Sequence, residues 1–377
     1  MEIKRAYKFR FYPTFEQETI LAQTFGCARF VYNRMLRVRS DAWYTEKKRI
    51  GYHATSSLLT ELKKEPEFEW LNKVSSVPVQ QSLRHLQTAF GNFFAKRAKY
   101  PSFKSKHEKQ SAEYTSSAFK WDGKSLKLAK MKDPLNIRWS RTLPKATKLT
   151  IATVSKDSAG RYHVSMLCDD SVARKPRVSG KVGIDLGLTH FAILSTGEKI
   201  ASPNTLRKNE TRLAKLQRKL SKKRKGSANR QKARLKVARL HAGIADARKD
   251  FLHKLSTRLV NENQVIVVES LAVSNMKKNR CLAKSISDAG WGEFVRQLEY
   301  KSLWYGRELV GIDRWYPSSK RCSGCGHTVN KMPLNVREWT CPECGSIHDR
   351  DINAARNVLA AGLAVSALGE SISPVCI

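Results

Sequence analysis

Alternation of apolar and polar residues marks the first element of the chain. The segment Ile3 to Tyr12 alternates well enough to predict a β-strand, which Pro13 ends, and Thr14 can then cap a helix. Apolar residues then recur at helical spacing in two sets: Ile20, Leu21, Phe25, Ala28, Tyr32 and Leu36, followed by Val79, Leu83, Leu86 and Phe90. Residues 14–100 are therefore predicted to form a small helical bundle.

The pattern changes between Tyr100 and Gly180 to short alternating runs. Residues 149–154 and 162–167 alternate, and a turn sequence at 158–160 separates them, which is typical of antiparallel strands. The simplest organisation is a β-rich domain whose first strand precedes the helical bundle and whose other strands follow it. The segment 175–180 is expected to be a linker.

The second half of the chain predicts strands that alternate with helices. Apolar runs predict strands at 182–187, at 191–194, near Lys199, at 265–269 and at 310–312. Helical spacing predicts helices over 206–260 with a break at Gly226, around Trp291, and from 351 onward. The order β-β-β-α-β-α-β-α favours a mixed sheet flanked by helices, and the continuous apolar run at 265–269 is typical of a strand covered on both faces.

Charge changes the picture more than any other property of the composition. The 377 residues are 41% hydrophobic, enough for folded cores, but 70 Lys and Arg oppose 33 Asp and Glu, a net charge of +37. The excess positive charges repel one another unless a polyanion binds, so nucleic acid is the expected partner. A basic membrane-surface protein is the alternative, but no amphipathic anchor or lipidation signal is visible in the sequence. The longest apolar stretch, 358–368, is also too short to span a bilayer. Because the N-terminus has no secretory pattern, we expect a cytoplasmic, nucleoid-associated protein.

One long predicted helix carries much of this charge. Residues 206–250 hold 17 Lys and Arg, including Lys222, Lys223, Arg224 and Lys225, against three acidic residues. An ordinary solvated face would explain charge but not charge of a single sign. We therefore predict that this stretch binds phosphates without sequence preference.

Three acidic residues occupy special places in the predicted order. Asp185 lies inside the first apolar strand of the second half, Glu269 at the end of the fourth strand, and Asp351 at the start of the last helix. Individually they could be a turn residue, a solvated strand end and a helix cap. Together they predict a Mg²⁺ site with two ions for phosphodiester hydrolysis, since a carboxylate in a buried strand needs compensation. Asp349 is the competitor for the role of Asp351.

The cysteine spacing predicts a second metal site. Cys322 and Cys325 form one C-x-x-C pair, Cys341 and Cys344 another, and 15 residues separate the pairs. That spacing matches a four-thiolate zinc ribbon, in which a closed shell makes the zinc structural. His327 and His348 lie nearby and are expected at the surface. The other cysteines are scattered, which favours a reducing compartment.

The helical bundle offers weaker candidates for base contacts. Gln80, with Gln81, precedes Arg84 on one predicted helix, and glutamine can pair with adenine in the major groove. Tyr52 could stack on or touch a base. The alternative is that these are ordinary surface residues.

Five motifs are distinctive when taken together: residues 7–13 (YKFRFYP), 27–33 (CARFVYN), 183–187 (GIDLG), 285–291 (SISDAGW) and 349–355 (DRDINAA). They resemble the TnpB family, which is encoded by transposons and is similar to compact RuvC-type CRISPR effectors. The resemblance covers nearly the whole chain. It implies an RNA-guided DNA endonuclease that binds a noncoding guide RNA from the transposon end and cleaves double-stranded DNA beside a short target-adjacent motif.

The resemblance also implies a domain layout and roles for residues. The expected fold is α/β with all-β and all-α parts: an RNase H-like (RuvC) nuclease with an inserted zinc ribbon, and an N-terminal wedge β-barrel with an inserted helical bundle. The expected bounds are 1–12 and 115–180 for the wedge and its linker, 13–114 for the recognition helices, 181–320 and 346–366 for the nuclease, 321–345 for the ribbon, and 367–377 for a short tail. Asp185, Glu269 and Asp351 would be the catalytic triad.

Two other functions stay open at this point. One is an RNA-guided DNA-binding regulator that does not cleave, although no acidic ligand is missing from the sequence. The other is an RNase H-like transposase, against which the inserted ribbon argues. A guided nuclease would cut both strands with one active site used in succession.

Overall fold

The computed structural model describes residues 1–144, 148–333 and 335–367 of the chain. The predicted tail at 367–377, with Cys376, lies outside the described residues apart from Ala367. The chain divides into two compact units, Glu2–Ser171 and, together with Met1, residues 172–377. Within the described ranges, no helix is both long enough and apolar enough to cross a bilayer.

The sheet of the first unit joins strands from both sides of a helical insertion. Its strands are β1 (Glu2–Phe11), β2 (Gln110–Thr115), β3 (Phe119–Trp121), β4 (Leu126–Leu128), β5 (Ile137–Arg138), β6 (Leu149–Lys156) and β7 (Tyr162–Ser171). Five of them form an antiparallel sheet in the order β2-β6-β7-β1-β5, and β3 pairs with β4. β1 pairs with β7 along its whole length, from Glu2 opposite Ser171 to Phe11 opposite Tyr162. The strand before the helices and the strands after them therefore share one sheet, as the pattern predicts.

The sheet resumes at Gln110, ahead of the predicted wedge boundary at 115. Among the described strands, β2 and β5 are its two edges. Closure into the predicted barrel therefore stays a prediction.

The helical insertion consists of α1 (Phe15–Glu46), α2 (Tyr52–Leu62) and α3 (Ser76–Phe94). α1 begins at the predicted cap, where the Thr14 hydroxyl accepts from the Gln17 amide and the Gln17 side chain accepts from the Thr14 amide. This reciprocal pair satisfies two amides that a helix start leaves without partners. Apolar faces of the three helices then pack into one core that includes Val31, Leu59 and Leu86.

The second unit contains the mixed sheet predicted for the second half. Its strands are β8 (Lys181–Asp185), β9 (His190–Leu194), β10 (Lys199–Ala201), β11 (Val265–Glu269) and β12 (Glu308–Ile312), in the order β10-β9-β8-β11-β12. β8, β11 and β12 are parallel, whereas β9 and β10 are antiparallel to their neighbours. A hairpin of β13 (Glu338–Thr340) and β14 (Ile347–Asp349) follows. The three parallel strands place their carboxyl ends at one edge of the sheet.

Helices cover both faces of this sheet. They are α4 (Thr205–Ser221), α5 (Ala228–Glu262), α6 (Val273–Met276), α7 (Ala283–Ala289), α8 (Trp291–Tyr305) and α9 (Arg350–Ala367). The break between α4 and α5 contains Gly226 with φ +84°, which confirms the predicted break. α5 and α8 pack with one face of the sheet in a core that includes Phe191 and Phe294. α9 covers the opposite face, where Val267 and Val358 are buried.

Two glycines let α9 approach the sheet closely. A Cβ at Gly183 of β8 would lie 2.2 Å from the Ala355 carbonyl oxygen, and one at Gly362 of α9 would lie 2.3 Å from Val267 Cγ1. Neither position has room for a larger residue unless the helix moves. This close packing sets the position of the first turn of α9 relative to the end of β8.

Candidate active site and zinc ribbon

The fold brings the three predicted catalytic acids to one edge of the mixed sheet. Asp185 ends β8 and Glu269 ends β11, and the strands pair in parallel with Ile184 opposite Val268. Asp185 and Glu269 are the next residues along these two strands, so they lie at the same edge of the sheet on neighbouring strands. Asp351 lies in the first turn of α9, the helix packed on β8.

The three carboxylates interact electrostatically. Burial is the largest cause that raises the pKa of Asp185, and together with the negative charges of Glu269 and Asp351 it brings the pKa to about 7, against the opposing charge of Arg350. Burial also raises the pKa of Glu269, while a hydrogen bond from the Ser318 hydroxyl, 2.7 Å from Oε1, acts in the other direction. Half-buried acids that repel each other favour a multivalent cation between them.

The oxygens of the three acids are spaced differently from the ligands of a site that surrounds a single ion. In the part of the chain that the structure describes, only the four cysteines form a group of three or more possible ligands with all ligand atoms within 4.8 Å. The three carboxylates are thus more widely spaced. One ion held by all three acids would need them closer, so two ions would share these ligands, neither of them contacting all three acids.

Asp349 has a different role from Asp351. Its Oδ1 accepts from the amides of Asp351 and Ile352, both at 3.0 Å, which caps α9, and its Oδ2 pairs with Lys199 Nζ at 2.5 Å. Burial raises the pKa of Asp349, but these contacts outweigh it and lower the pKa below its ordinary value. Asp351 itself lies 3.7 Å from Arg337. The helix cap considered for Asp351 therefore belongs to Asp349.

The raised pKa of Asp185 predicts a pH-dependent stability in protein stripped of divalent ions. A carboxyl whose pKa is raised on folding stabilises the fold below its ordinary pKa of 3.8, and this contribution disappears as pH rises through about 7. We expect the wild-type protein to lose about 2 kcal/mol between pH 5 and pH 8 relative to Asp185→Asn, after allowance for solvent screening. Thermal unfolding at several pH values measures this difference. Identical pH profiles for the two proteins would contradict the environment described for Asp185.

The four predicted cysteine ligands form a compact cluster between β12 and α9. Their sulfur atoms all lie within 4.8 Å of one another, with Cys322 Sγ 3.7 Å from Cys344 Sγ and Cys325 Sγ 3.6 Å from Cys341 Sγ. A glycine with positive φ follows each C-x-x-C pair, Gly326 at +81° and Gly345 at +70°. The cluster is compatible with a structural zinc site.

The expected surface position of His348 is wrong. His348 is buried, and its Nε2 lies 3.0 Å from Cys322 Sγ. Burial lowers the pKa of His348, and its ring lies within hydrogen-bonding reach of the Cys322 sulfur. His327, by contrast, is half-exposed, 3.9 Å from Glu343.

Two asparagines that sequence reasoning missed fasten the cysteine ribbon to α9. Asn353 donates to the Arg321 carbonyl at 2.7 Å and accepts from the Ser323 amide at 2.9 Å. Asn357 donates to the Ser318 carbonyl at 2.9 Å, and Ser318 in turn donates to Glu269. Both asparagines are buried and four residues apart on one helix face, a signal that the sequence did contain.

Asp288 is another buried acid that the sequence analysis did not single out. It accepts from the Thr205 hydroxyl at 2.8 Å and from the Leu206 amide at 2.9 Å, and Arg248 lies 3.7 Å away. The cap residue of α4, Asn204, makes no capping hydrogen bond with its side chain. Asp288 therefore caps α4 from outside the helix.

The basic cluster Lys222–Lys225 lies in the turn that connects α4 and α5. All four side chains are exposed. Arg230 holds this turn by donating to the carbonyls of Leu220 and Lys223. The cluster is therefore a protruding positive tip rather than one stripe along a continuous helix.

The predicted base-contacting residues lie together in the helical insertion. Gln80 and Arg84 are exposed on α3, one helical turn apart. The Arg84 guanidinium lies 5.0 Å from the centre of the Tyr52 ring. The structure thus places Tyr52 and Arg84 on one surface, while their contact with a base stays a prediction.

Comparison with protein families matches three segments of the chain. Residues 163–280 match a family described as "Probable transposase" (OrfB_IS605), and residues 291–358 match the Cas12f1-like TNB domain. Residues 1–48 match a family described as a helix-turn-helix domain, although this segment contains β1 and the single helix α1.

Similar proteins cover nearly the full length. A protein of Streptomyces pristinaespiralis named "Putative RNA-guided DNA endonuclease" is 60% identical over 99% of this chain and 93% of its own length. A counterpart of Escherichia coli strain K12, InsQ, which carries the same description, is 37% identical over 99% of this chain and 96% of its own. Among solved structures, Cas12f1 in a complex with guide RNA and target DNA shares the fold, with a TM-score of 0.58 and 14% identity. The match covers 95% of this chain and 98% of the Cas12f1 chain. These similarities along the whole chain, together with the motifs, place the chain in the TnpB family of OrfB_IS605 proteins.

Proposed function

We propose that the chain is the RNA-guided DNA endonuclease of a transposable element. In this proposal it binds a guide RNA from the transposon end and cleaves double-stranded DNA beside a short target-adjacent motif. The observation that carries the proposal is the meeting of Asp185, Glu269 and Asp351 at one sheet edge, where burial and the charges of the other two acids raise the pKa of Asp185. The names of the 60% and 37% identical relatives support the RNA guide and the DNA substrate.

The acidic edge would hold Mg²⁺, and the chain's residues would orient it. When bound, the ions supply activation of the attacking water and charge neutralisation at the phosphate. Asp185 and Glu269 offer oxygens from neighbouring strand ends, and Asp351 offers oxygens from α9. The Ser318 hydroxyl holds one Glu269 oxygen at 2.7 Å and leaves the other free to bind a cation.

The positive surface would hold the nucleic acids by their backbones. A guided nuclease delegates sequence reading to base pairing, so the protein needs many contacts to phosphates and few to bases. The net charge of +37 and the exposed tip at Lys222–Lys225 fit that division. Tyr52, Gln80 and Arg84 would contribute contacts to bases of the target-adjacent motif.

The finer domain layout belongs to the same proposal. We assign the RuvC nuclease to 181–320 and 346–366, and the zinc ribbon to 321–345. The order of the mixed sheet, β10-β9-β8-β11-β12, supports this assignment. Its parallel strands are β8, β11 and β12. The wedge would be 1–12 and 115–180, around the recognition helices at 13–114.

Dependence on RNA tests the proposed function. The protein is purified with its bound RNA, one half is freed of RNA, and both halves are incubated with Mg²⁺ and a plasmid library that carries the matching target beside randomised sequence. We expect both strands to be cut only when RNA is present. Cutting or strand joining without RNA would indicate a transposase instead, and RNA-dependent binding without cutting would indicate a regulator.

A further inference from the structure

An open aromatic pocket in the helical insertion has no part in the proposed catalytic site. It is a cavity of about 430 Å³ between the last turns of α1 and α3 and the segment that joins α1 to α2. Its volume lies in the range of sites that bind small ligand groups. Phe90 is buried at its base, while Phe94 is 65% exposed and Trp43 is 41% exposed at its rim.

The rings of the pocket are held in place and leave one face open. Phe94 stacks on Phe90 with ring centres 6.2 Å apart and an interplanar angle of 26°. Tyr100 packs edge-on against Phe90 at 5.5 Å, and its hydroxyl lies 2.7 Å from the hydroxyl of Ser40. Phe94 is therefore backed on one face and available to a planar group on the other.

Cations surround these rings without any acidic partner in the lining. The Arg39 guanidinium lies 4.0 Å from the centre of the Phe90 ring, and Arg49 lies 5.7 Å from that of Trp43. Lys48 also lines the cavity, and no carboxylate does among its lining residues, all in a described segment. The exposed chain that continues from the pocket has six cations against one acid: Lys96, Arg97, Lys99, Lys104, Lys106 and Lys109 against Glu108.

This combination fits a base with its phosphate better than it fits a protein surface. A protein partner would cover exposed aromatic rings with apolar groups and would leave Arg49 and Lys48 without an anionic partner. A nucleotide offers a flat base to Phe94 and a negative charge to Arg49 and Lys48. Bases in duplex DNA are stacked and paired, whereas loops and bulges of a folded RNA present single bases.

We propose that this pocket binds an unpaired base of the RNA carried by the protein. The base stacks on the open face of Phe94, and Arg49 and Lys48 contact the adjoining phosphates. The inference rests on the proposed function, because it needs a resident RNA. It adds a binding site outside both the acidic edge and the surface of Tyr52 and Arg84.

Matched substitutions at one ring test the stacking. The RNA that copurifies with the full-length protein is bound again to RNA-free wild type, Phe94→Leu and Phe94→Tyr, and Kd is measured by filter binding. Phe94→Leu keeps an apolar side chain but loses the π-face, so we expect Kd to rise roughly 5- to 100-fold, whereas Phe94→Tyr should stay within about twofold. Phe15→Leu, at an exposed aromatic outside both the pocket and the basic stretch that continues from it, serves as the control and should not change Kd.

Salt dependence and crosslinking add readouts that a folding defect would not produce. Arg49→Gln should lower the slope of log Kd against log salt by about 0.7 to 0.9, and Phe94→Leu should leave the slope unchanged. Ultraviolet crosslinking should join RNA to peptides within 39–51 or 90–100.

Several outcomes would overturn the inference. An unchanged RNA Kd for Phe94→Leu would do so, as would a loss of affinity confined to a single-stranded DNA oligonucleotide. A wild-type dimer in sedimentation that Phe94→Leu converts to a monomer, with RNA binding intact, would identify a protein-docking surface instead. A wild-type protein that binds no RNA would refute the proposed function as well, so the two failures are distinguishable.

Discussion

Asp185→Asn is expected to abolish DNA cleavage while RNA and DNA binding stay intact. The substitution keeps the shape of the side chain but removes the charge that would hold Mg²⁺ at the end of β8. Loss of several kcal/mol of transition-state stabilisation corresponds to about a thousandfold lower cleavage rate. Single-turnover cleavage by the purified RNA complex measures the rate, and Mg²⁺ titration followed by thermal unfolding measures the loss of ion binding independently of activity.

A neighbouring acid supplies the matched control for this prediction. Asp351→Asn should resemble Asp185→Asn in rate. Asp349→Asn, two residues away, should retain cleavage, because asparagine caps a helix as well as aspartate and only the ion pair with Lys199 is lost. Full cleavage by Asp185→Asn, or a reversed order of the Asp349 and Asp351 variants, would refute the assignment of the acidic edge.

Cys322→Ser should remove the zinc and unfold the ribbon. Four thiolates contribute about 10 kcal/mol or more of metal-binding free energy to such small sites, which otherwise lack a core of their own. The ribbon is hydrogen-bonded to Asn353 and Asn357 of α9, and Ser318 at its base holds Glu269. We therefore expect the rate of DNA cleavage to fall by about 100-fold or more when the ribbon unfolds.

Zinc content and local protection measure this second effect. Wild-type protein should contain one zinc per chain, and Cys322→Ser should contain none, with faster hydrogen exchange across residues 313–349. Cys281→Ser changes an exposed cysteine outside the cluster and should alter neither quantity. Retention of one zinc by Cys322→Ser, with wild-type exchange rates, would show that the cluster is not the zinc site.

Some features of the site followed from sequence because they depend on local rules. The buried run at 265–269 predicted a strand, and the acids beside such runs predicted strand-end carboxylates. The capping box at Thr14 and the break at Gly226 depend on residues a few positions apart. The spacing of the two C-x-x-C pairs likewise predicted the sulfur cluster, since each pair is a short turn.

Other features required contacts between residues far apart in the chain. Asp349, rather than Asp351, caps α9, because the cap depends on where β14 ends against α9. His348 was expected at the surface but is buried against Cys322, since its side follows from the register of the β13–β14 hairpin. A shift of one residue in that register would have pointed it outward.

The sequence by itself determined the order of strands and helices, the identity of the acids and thiols, and the charge that calls for a polyanion. Only the tertiary structure decided that β8 and β11 are neighbours, that Gly183 and Gly362 let α9 approach them, and that the ribbon is fastened to α9 by two asparagines. The reason is physical: periodicity and spacing report interactions within a few residues, whereas strand neighbours and helix docking depend on packing between segments about which local pattern carries no information.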